Sequence, residues 1–563
     1  MNTLRFVAAA LGLPALTWFI GGGLLRRMGA LDAEEWFVAS PGIGIALLAG
    51  SQFVLFVSGA HAAFFGVLAL GAMVALSSWL WRTRAREGPH VVTLSELSPA
   101  FAALASAPYV HLLLIQALLP IYYGAGWSFD WWMHFDEALV FLGDKPVTTV
   151  WAGHYSLLSR TPLFNLYGAF AMSLFGHEFW IFQVASTFMN SCVCGAMYLV
   201  VRDRFDRRAG AFALALFPLN VWMLHGQWFT WPKMLAAYFG ILGLHFYAKS
   251  STLRSADSAR SSRHLRFSAL FLGLGILAHP VVAVYAFALL VHARWLGWRD
   301  AARRISLSEA ARAAGVPVAL LFVWGIWGVS TFWSSGFSAS NPLPEVSSSD
   351  PLAFFYNVVA SVIPLELVSA LSSRSALDPK HFYRGLVDLY FSLFTGCLTI
   401  SLSLFLVSRV RKLGVRAVRQ NATAWLEPAN SSVVAFLLIG TSGAMALHTA
   451  PHIHGTAHDV WFPSVIVLTA MAWAVLAGAP ERLRKIVCAG MVLENGVVLW
   501  SHILHLHHRA ASPPEDNLIL KLTNGLVFLN DYSAAPMWLV VAAALAVEAA
   551  LMRFVFTRSR QRS

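Results

Sequence analysis

Two adjacent acidic residues, Asp136 and Glu137, lie in an apolar and aromatic stretch, "SFDWWMHFDEALVFLGD". A carboxylate at a lipid–water boundary can accept a proton from a hydroxyl group, because burial against tryptophan rings raises its basicity. On a helix, Asp130, His134 and Glu137 share one face and Asp136 points elsewhere. We therefore expect different roles for the two adjacent acids. The alternative is an interfacial helix with tryptophan anchors and solvated acids.

Two cations are the second group that could do chemistry. Arg160 lies in "SRTPLFNLYG", and Lys233 opens a predicted helix directly after Pro232 in "FTWPKMLAAYF". The backbone donors and the dipole of a helix N-terminus already favour an anion, so Lys233 adds charge to a prepared anion site. The alternative for Lys233 is a snorkelling lysine at a helix end.

The composition places these residues in a membrane protein. The chain has 563 residues, of which 58% are hydrophobic and 12% charged, and its mean hydropathy is +0.63. Apolar runs of about 20 residues recur, and that length of helix crosses the hydrocarbon of a bilayer. Four cysteines in apolar runs predict neither a disulfide framework nor a zinc knuckle. The predicted spans are 4–25, 36–58, 62–81, 104–123, 180–201, 211–229, 231–249, 265–278, 280–293, 313–333, 386–408, 432–450, 460–478, 486–507 and 536–555.

The basic residues give the predicted orientation. The net charge is +12, and 31 of the 40 lysines and arginines lie in alternate segments between the spans, which is the positive-inside pattern. The charge therefore requires no nucleic-acid partner. Nine cations remain on the opposite side, where an anionic ligand or a structural partner would explain them: Arg5, Lys145, Arg160, Lys233, Arg374, Lys380, Arg384, Arg509 and Lys521.

The order of spans and loops suggests three regions. We expect an appended N-terminal transmembrane unit at 1–100, a core at 101–310 with a catalytic loop at 124–179, and a C-terminal transmembrane region at 311–563. Further non-cytoplasmic loops are predicted at 335–385, 451–459 and 508–535. His454 and His458, in the loop "HTAPHIHGTAHDVWFP", are predicted to line a substrate pocket, as are Asp130 and His134.

Three segments resemble the polytopic glycosyltransferases of the GT-C fold, the group that contains bacterial aminoarabinose transferases and protein O-mannosyltransferases. The segments are "DEALVFLGDKPVTT…LLSRTPLFNLYGAFAMSLFGHEFW", "RDRFDRRAGAFALALFPLNVW…WPKMLAAYFGILGL" and "GLGILAHPVV". The resemblance covers about residues 130 to 300. It implies an all-α polytopic bundle of about 13–15 spans, with amphipathic helices in the first large non-cytoplasmic loop. It also implies that Asp136 is the catalytic base and that Arg160 faces a lipid phosphate.

The chain departs from that family at three places. Ser159-Arg160-Thr161-Pro162 stands where many members carry Glu-Lys-Pro-Pro, so a metal-binding glutamate is missing. Lys233 replaces an acid, and His279-Pro280 replaces Lys-Gly-Pro. Positive charge can neutralise a phosphate in place of a metal. A divalent metal is therefore not favoured, no metal ligands are assigned, and the cofactor stays unknown.

These features together predict a membrane glycosyltransferase. It would move a sugar from a polyprenyl-phosphate donor to a hydroxyl of a glycan, glycolipid or protein, with inversion, in a bacterial inner membrane and on the periplasmic side. Asp136 would be the base and Glu137 would orient the acceptor or the loop, while Arg160, Lys233 and His279 would bind the donor phosphate. The alternative is a transporter or flippase of lipid-linked sugars, which would also have many spans, a broken helix and intramembrane charges.

Overall fold

Helices make up almost all of the described part of the chain. The computed structural model describes residues 2–28, 31–60, 63–83, 96–118, 130–151, 155–334, 427–446, 462–510, 542–550 and 553. One antiparallel pair of two-residue strands, β1 (Val150–Trp151) and β2 (Tyr155–Ser156), is the exception to the helical pattern in these residues. The helices, in chain order, are α1 (Asn2–Met28), α2 (Ala33–Val57), α3 (Ala63–Arg82), α4 (Pro99–Leu118), α5 (Asp130–Phe141), α6 (Leu163–Phe175), α7 (Phe179–Ser191), α8 (Val193–Arg204), α9 (Arg207–Leu216), α10 (Val221–Trp228), α11 (Lys233–Leu253), α12 (Ser258–Ala278), α13 (Val282–Arg299), α14 (Leu307–Ser334), α15 (Pro428–Ala435), α16 (Thr441–Ala446), α17 (Phe462–Ala477) and α18 (Glu481–Ala510).

Many of these helices are long and apolar enough to cross a bilayer. The described residues contain seven such helices, or up to eight if a bent pair is one span. The predicted fold class, an all-α polytopic membrane protein, is confirmed. The predicted span at 386–408 lies outside the described residues. The seven stretches are Leu4–Met28, Ala33–Val57, Phe64–Arg82, Pro99–Gln116, Phe179–Arg204, Ala301–Thr331 and Pro428–Ala446.

The helix pair around His279-Pro280 differs from the prediction in length. The sequence predicts two short segments, 265–278 and 280–293, and the break between them is confirmed. The short lengths are wrong, because α12 has 21 residues and α13 has 18, or about 32 and 27 Å. Asp257 accounts for the early start of α12, since its side chain caps the first turn within a polar segment that precedes the apolar run.

The first two helices cross at very close range. A Cβ atom on Gly21 would lie 1.9 Å from the carbonyl oxygen of Ser40, and one on Gly44 would lie 1.9 Å from that of Thr17. Such small-residue contacts let two helix backbones approach where lipid supplies no hydrophobic driving force. The crossing therefore fixes α1 against α2 through residues without side chains.

A tyrosine of α11 inserts into the backbone of α2. The Tyr238 hydroxyl donates to the carbonyl oxygen of Val38 at 2.7 Å and accepts from the amide of Gly42 at 2.9 Å. These two backbone groups are four residues apart, so the hydroxyl occupies the place of one helical hydrogen bond beside Pro41. This contact joins the start of the chain to the helix that begins at Lys233.

Ion pairs join the start of α2 to α8 and α11. Glu35 is fully buried, and its carboxylate lies 2.8 Å from Nε2 of His245 and contacts Nζ of Lys249. Arg202 lies 2.8 Å from Glu34. A buried acid is retained only where such partners compensate the loss of water. The first helices are therefore packed into the bundle by polar as well as apolar contacts.

Helix α6 lies inside the bundle, between α2, α7 and α5. Its first ten residues are buried, and Tyr167 makes a hydrogen bond of 2.8 Å with Thr17. At its C-terminal end, Arg5 of α1 lies 2.6 Å from Glu178 and donates to the carbonyl oxygen of Phe175. Arg5, one of the nine cations on the non-cytoplasmic side in the sequence prediction, thus has a structural partner.

Candidate active site

Helix α5 carries the predicted acids and is held by its neighbours. Gln52 of α2 donates from Nε2 to the carbonyl oxygen of Phe141 at 2.9 Å, which fixes the end of α5. Phe135 packs edge-on against Phe179 and Phe182 of α7, at centroid distances of 5.4 and 5.9 Å. These contacts fix α5 from two sides, so its polar residues have defined surroundings.

Asp136 and Lys145 form an ion pair at the end of α5. The Oδ2 atom of Asp136 lies 2.7 Å from Nζ of Lys145, and the aspartate side chain is 9% exposed. Gly143 makes this contact possible, because its φ of 83° reverses the chain just after the helix. The chain after Gly143 therefore runs back toward the last turns of α5, where Lys145 reaches the aspartate.

We expect Gly143→Ala to lower the stability of the protein by about 1–2 kcal/mol, because a side chain in the left-handed conformation is strained. The variant should also weaken the contact between Lys145 and Asp136. Thermal unfolding in detergent measures the first effect. Gly50→Ala is the control, since a Cβ atom there meets no other atom within 4 Å. Equal unfolding temperatures for Gly143→Ala and wild type would contradict the strained turn.

His134, Asn165 and Glu137 form a hydrogen-bonded group on another face of α5. Asn165 of α6 lies with Oδ1 3.1 Å from Nδ1 of His134, and its Nδ2 donates to the Glu137 carboxylate. The three side chains are nearly fully buried. The two adjacent acids thus have different partners, Lys145 for Asp136 and Asn165 for Glu137, in agreement with the helical spacing.

Three predicted donor-binding cations act on the buried histidine. Burial, followed by the positive charge of Arg160, holds the pKa of His134 well below its usual range. His279 and Lys233 lower the pKa of His134 further, although its bond to Asn165 opposes them. Arg160, His279 and Lys233 therefore all contribute to one electrostatic effect, the lowered pKa of His134.

The depressed pKa of His134 predicts how stability changes with pH. Below about pH 6.5 the unfolded chain protonates this histidine, while the folded chain keeps it neutral. Stability should therefore fall by up to about 1.4 kcal/mol per pH unit between pH 6.5 and the folded-state pKa. His134→Gln should flatten this loss, and His177→Gln, whose side chain is 48% exposed, should not. Parallel pH curves for wild type and His134→Gln would contradict the burial of a neutral histidine.

Lys233 and His279 are held by aromatic side chains. Nζ of Lys233 lies 3.8 Å from the ring centroid of Trp231, and Lys233 is the first residue of α11. His279 ends α12, accepts from the amide of Val281 at 3.3 Å and packs edge-on against Phe462 at 5.7 Å. A cation over an aromatic ring keeps its charge while its position is restricted. Both side chains therefore have defined positions.

Several predicted site residues fall outside what the structure describes. Asp130 begins α5, but its side chain is not among those described, and His454 and His458 lie outside the described residues. Of the predicted face of Asp130, His134 and Glu137, the structure describes the side chains of the last two, and Nδ1 of His134 lies 3.8 Å from Oε2 of Glu137.

A group of metal-ligand type lies elsewhere in the described chain. Glu35, Asp203 and His245 offer ligand atoms within 4.8 Å of one another. Lys249 contacts the Glu35 carboxylate and lies 3.8 Å from Asp203. The ammonium group of Lys249 therefore takes the place that a metal ion bound by Glu35, Asp203 and His245 would occupy.

Two residues that contact the predicted site residues are themselves absent from the predicted site. Asn165 bridges His134 and Glu137, and Lys145 pairs with Asp136. The sequence does contain a signal for Asn165, because a lone amide in "LFNLYGAFAM" must find a partner once that helix is buried. Lys145 belongs to the nine unexplained cations, but its partner depends on the turn at Gly143.

Comparisons with known proteins give distant structural likenesses. The chain is similar to ArnT from Cupriavidus metallidurans in the apo state, with a TM-score of 0.43, 14% sequence identity, and coverage of 81% of this chain and 78% of that chain. It is also similar to the archaeal oligosaccharyltransferase AglB from Archaeoglobus fulgidus in complex with an inhibitory peptide and a dolichol-phosphate, with a TM-score of 0.33 and 14% identity. That match covers 78% of this chain and 56% of the other, so the chain spans little more than half of that relative.

Sequence comparisons find no relative. No protein-family model matches the chain, and no curated protein matches it. At the TM-scores of the structural matches, the likeness decides neither fold nor function.

Proposed function

We propose that the chain is a membrane glycosyltransferase that moves a sugar from a polyprenyl-phosphate donor to a hydroxyl group of a glycan, glycolipid or protein. One observation supports this reaction best. Helix α5 carries Asp136 on one side, and on the other side it carries a buried histidine on which Arg160, Lys233 and His279 act. A carboxylate on a fixed helix, together with cations from other segments that act on a neighbouring residue of that helix, can serve the two reactants of a sugar transfer.

The carboxylate acts on the acceptor. The acceptor oxygen attacks the anomeric carbon while its proton passes to Asp136, which must turn from its contact with Lys145 to receive it. The bond between the anomeric carbon and the phosphate oxygen breaks, and the electron pair leaves with the phosphate. Direct displacement of this kind inverts the anomeric configuration. Glu137, held by Asn165, keeps α5 and its loop in position.

The cations act on the donor. Negative charge grows on the polyprenyl phosphate as it departs, and Arg160, Lys233 and His279 stabilise that charge. Fixed positive charge of this kind does for a phosphate what a divalent metal does in other enzymes. The proposed site therefore depends on these side chains and not on a metal cofactor.

A membrane-embedded donor fits the position of α5 and α6 in the chain. In chain order, these two helices follow the stretch Pro99–Gln116 and precede Phe179–Arg204, both of which are long enough to span a bilayer. A lipid phosphate at the bilayer surface can reach residues placed there. The distribution of basic residues supports a site on the non-cytoplasmic side, and we propose a bacterial inner membrane with the site facing the periplasm.

Mass spectrometry of glycolipids and glycoproteins, from cells with and without the gene, tests the proposal. The proposed activity predicts a glycosylated product that disappears with the gene and returns with the wild-type chain but not with Asp136→Asn. A transporter of lipid-linked sugars predicts full restoration by Asp136→Asn. An unchanged set of products without the gene would contradict sugar transfer.

A further inference from the structure

A large cavity lies between α12, α13 and α14. It has a volume of about 860 Å³ and is lined mainly by α12, α13 and α14. Most of its lining is apolar, and its members include Leu272, Ile276, Leu290, Ala293, Ala314 and Leu321. The volume lies within the range of ligand pockets, about 300–1,000 Å³. The candidate active site uses none of these residues.

Two arginines stand at one end of the cavity. Arg294, in the last turns of α13, and Arg304, in the connection to α14, both line it together with Ser306. Among the residues that the structure describes, neither guanidinium group has an acidic partner. Nearby arginines differ: Nε of Arg303 lies 2.9 Å from Asp300, and Arg299 lies over the ring of Trp295. The mouth of the cavity therefore holds two positive charges that no acid of the described chain neutralises.

The depth of the cavity matches one leaflet of a bilayer. Its lining on α12 extends from Leu265 to Ile276, and on α14 from Leu307 to Leu321. At 1.5 Å per residue these stretches are about 17 and 21 Å long. The hydrocarbon of one leaflet is about 15 Å thick, half of the bilayer core. An acyl chain whose head group lies at the arginines would therefore be covered along its length.

Two glycines bring the walls of the cavity into close contact. A Cβ atom on Gly273 would lie 2.2 Å from Cβ of Pro317, so α12 and α14 are in close contact at this point. Gly297 allows a similar approach of α13, since a Cβ atom there would lie 3.1 Å from Cα of Arg304. These contacts hold the arginine at the mouth and leave the space between the helices open. A preformed pocket lowers the cost of ordering a ligand.

We propose that this cavity binds an acidic phospholipid of the surrounding bilayer, with its phosphate at Arg294 and Arg304 and an acyl chain along the apolar walls. Arginine forms charge-assisted hydrogen bonds with phosphate oxygens, often in pairs. A head group with net negative charge is preferred over a zwitterionic one, because neither guanidinium group forms an ion pair with an acid of the described chain. The bound lipid holds α13 against α14 near the mouth of the cavity.

Native mass spectrometry tests this site. The purified chain is placed in nanodiscs of equal parts phosphatidylglycerol and phosphatidylcholine, then released in detergent, and the retained lipids are counted. Wild type should retain phosphatidylglycerol. Arg294→Gln with Arg304→Gln should lower this retention about tenfold or more, since two charge-assisted contacts are lost. The control, Arg299→Gln with Arg312→Gln, removes the same charge outside the cavity lining and should retain the lipid as wild type does.

A second pair of variants tests the apolar part of the site. Ala269→Leu with Ala314→Leu narrows the cavity and leaves both arginines in place, so it should also reduce retained phosphatidylglycerol. Elution volume and unfolding temperature show that each variant is folded. Equal retention of both lipids by wild type, equal loss in the control pair, or full retention by the narrowed variant would overturn the proposal. Retention of a polyprenyl phosphate in place of the phospholipid would overturn it as well.

Discussion

Asp136→Asn is expected to lower sugar transfer by about 100-fold or more, because the amide keeps the shape of the side chain but cannot accept the proton of the acceptor. Folding and donor binding should survive, since the amide has the size of the carboxylate and leaves every donor cation in place. Transfer is measured with purified protein in lipid vesicles, with a sugar-labelled polyprenyl-phosphate donor. Donor retention on the protein is measured in the same preparation.

The ion pair with Lys145 provides the matched control. If Asp136 served only to hold Lys145, then Lys145→Gln would reduce transfer as strongly as Asp136→Asn, because either change breaks the same contact. A general base predicts a much milder effect, under about tenfold, for Lys145→Gln. Near-normal transfer by folded Asp136→Asn, or equal losses in the two variants, would remove the catalytic assignment.

A chelator separates this mechanism from a metal-dependent one. A metal bound by Asp130, His134 and Glu137 would make His134→Ala and Glu137→Gln the severe variants, and chelation would abolish activity. The proposed site predicts that Glu137→Gln is milder than Asp136→Asn and that chelation has little effect. Measuring transfer by the three variants with and without chelator decides between the two.

Arg160→Ala is expected to reduce donor use by about 10- to 150-fold, which corresponds to the loss of one charge-assisted contact of roughly 1.5–3 kcal/mol. Lys233→Met should have an effect of the same size, because both cations stabilise the departing phosphate. The rate of transfer at limiting donor concentration measures this effect. Acceptor dependence should stay unchanged in both variants.

Charge-conserving variants serve as the controls. Arg160→Lys and Lys233→Arg keep the positive charge, so each should recover a substantial part of the lost activity, although arginine and lysine differ in geometry. A cation that only anchors its helix, such as Lys233 over Trp231, would leave donor use unchanged when replaced. Unchanged donor use in both Arg160→Ala and Lys233→Met would contradict phosphate binding and indicate a structural role for these residues.

The sequence predicts much of the fold, because hydropathy reports directly on bilayer crossing. The spans predicted at 36–58, 62–81 and 313–333 correspond to α2, α3 and α14 within a few residues. Breaks are harder to locate. The predicted span at 211–229 is bent by 75° between Arg207–Leu219 and Trp222–Trp228. Pro218 lies at that bend and removes a helical hydrogen bond.

The packing between distant segments could not be predicted. Glu35 meets Lys249 across more than 200 residues of chain, and Tyr238 meets α2 in the same way. Hydropathy does not indicate which helices are neighbours. A single sequence also contains no co-varying residue pairs from which contacts could be inferred. The boundaries predicted at residues 100 and 310 therefore stay predictions, although α2 packs against both α6 and α11.

For the site, residue types were predictable and partners were not. Helical spacing separates Asp136 from Glu137, and the structure gives them different partners, as the spacing requires. The effect of Arg160, Lys233 and His279 on His134 depends on how segments far apart in the chain pack, which spacing cannot show. The catalytic roles of all these residues stay predictions until transfer is measured.

The most direct test is the fate of a polyprenyl-phosphate sugar on the purified chain in lipid vesicles, with an extract of cells lacking the gene as the source of acceptor. We predict free polyprenyl phosphate, together with a glycosylated acceptor whose anomeric configuration is inverted, from wild type but not from Asp136→Asn. Recovery of the donor with its sugar–phosphate bond intact, on the opposite leaflet of the vesicle, would contradict sugar transfer and indicate a transporter.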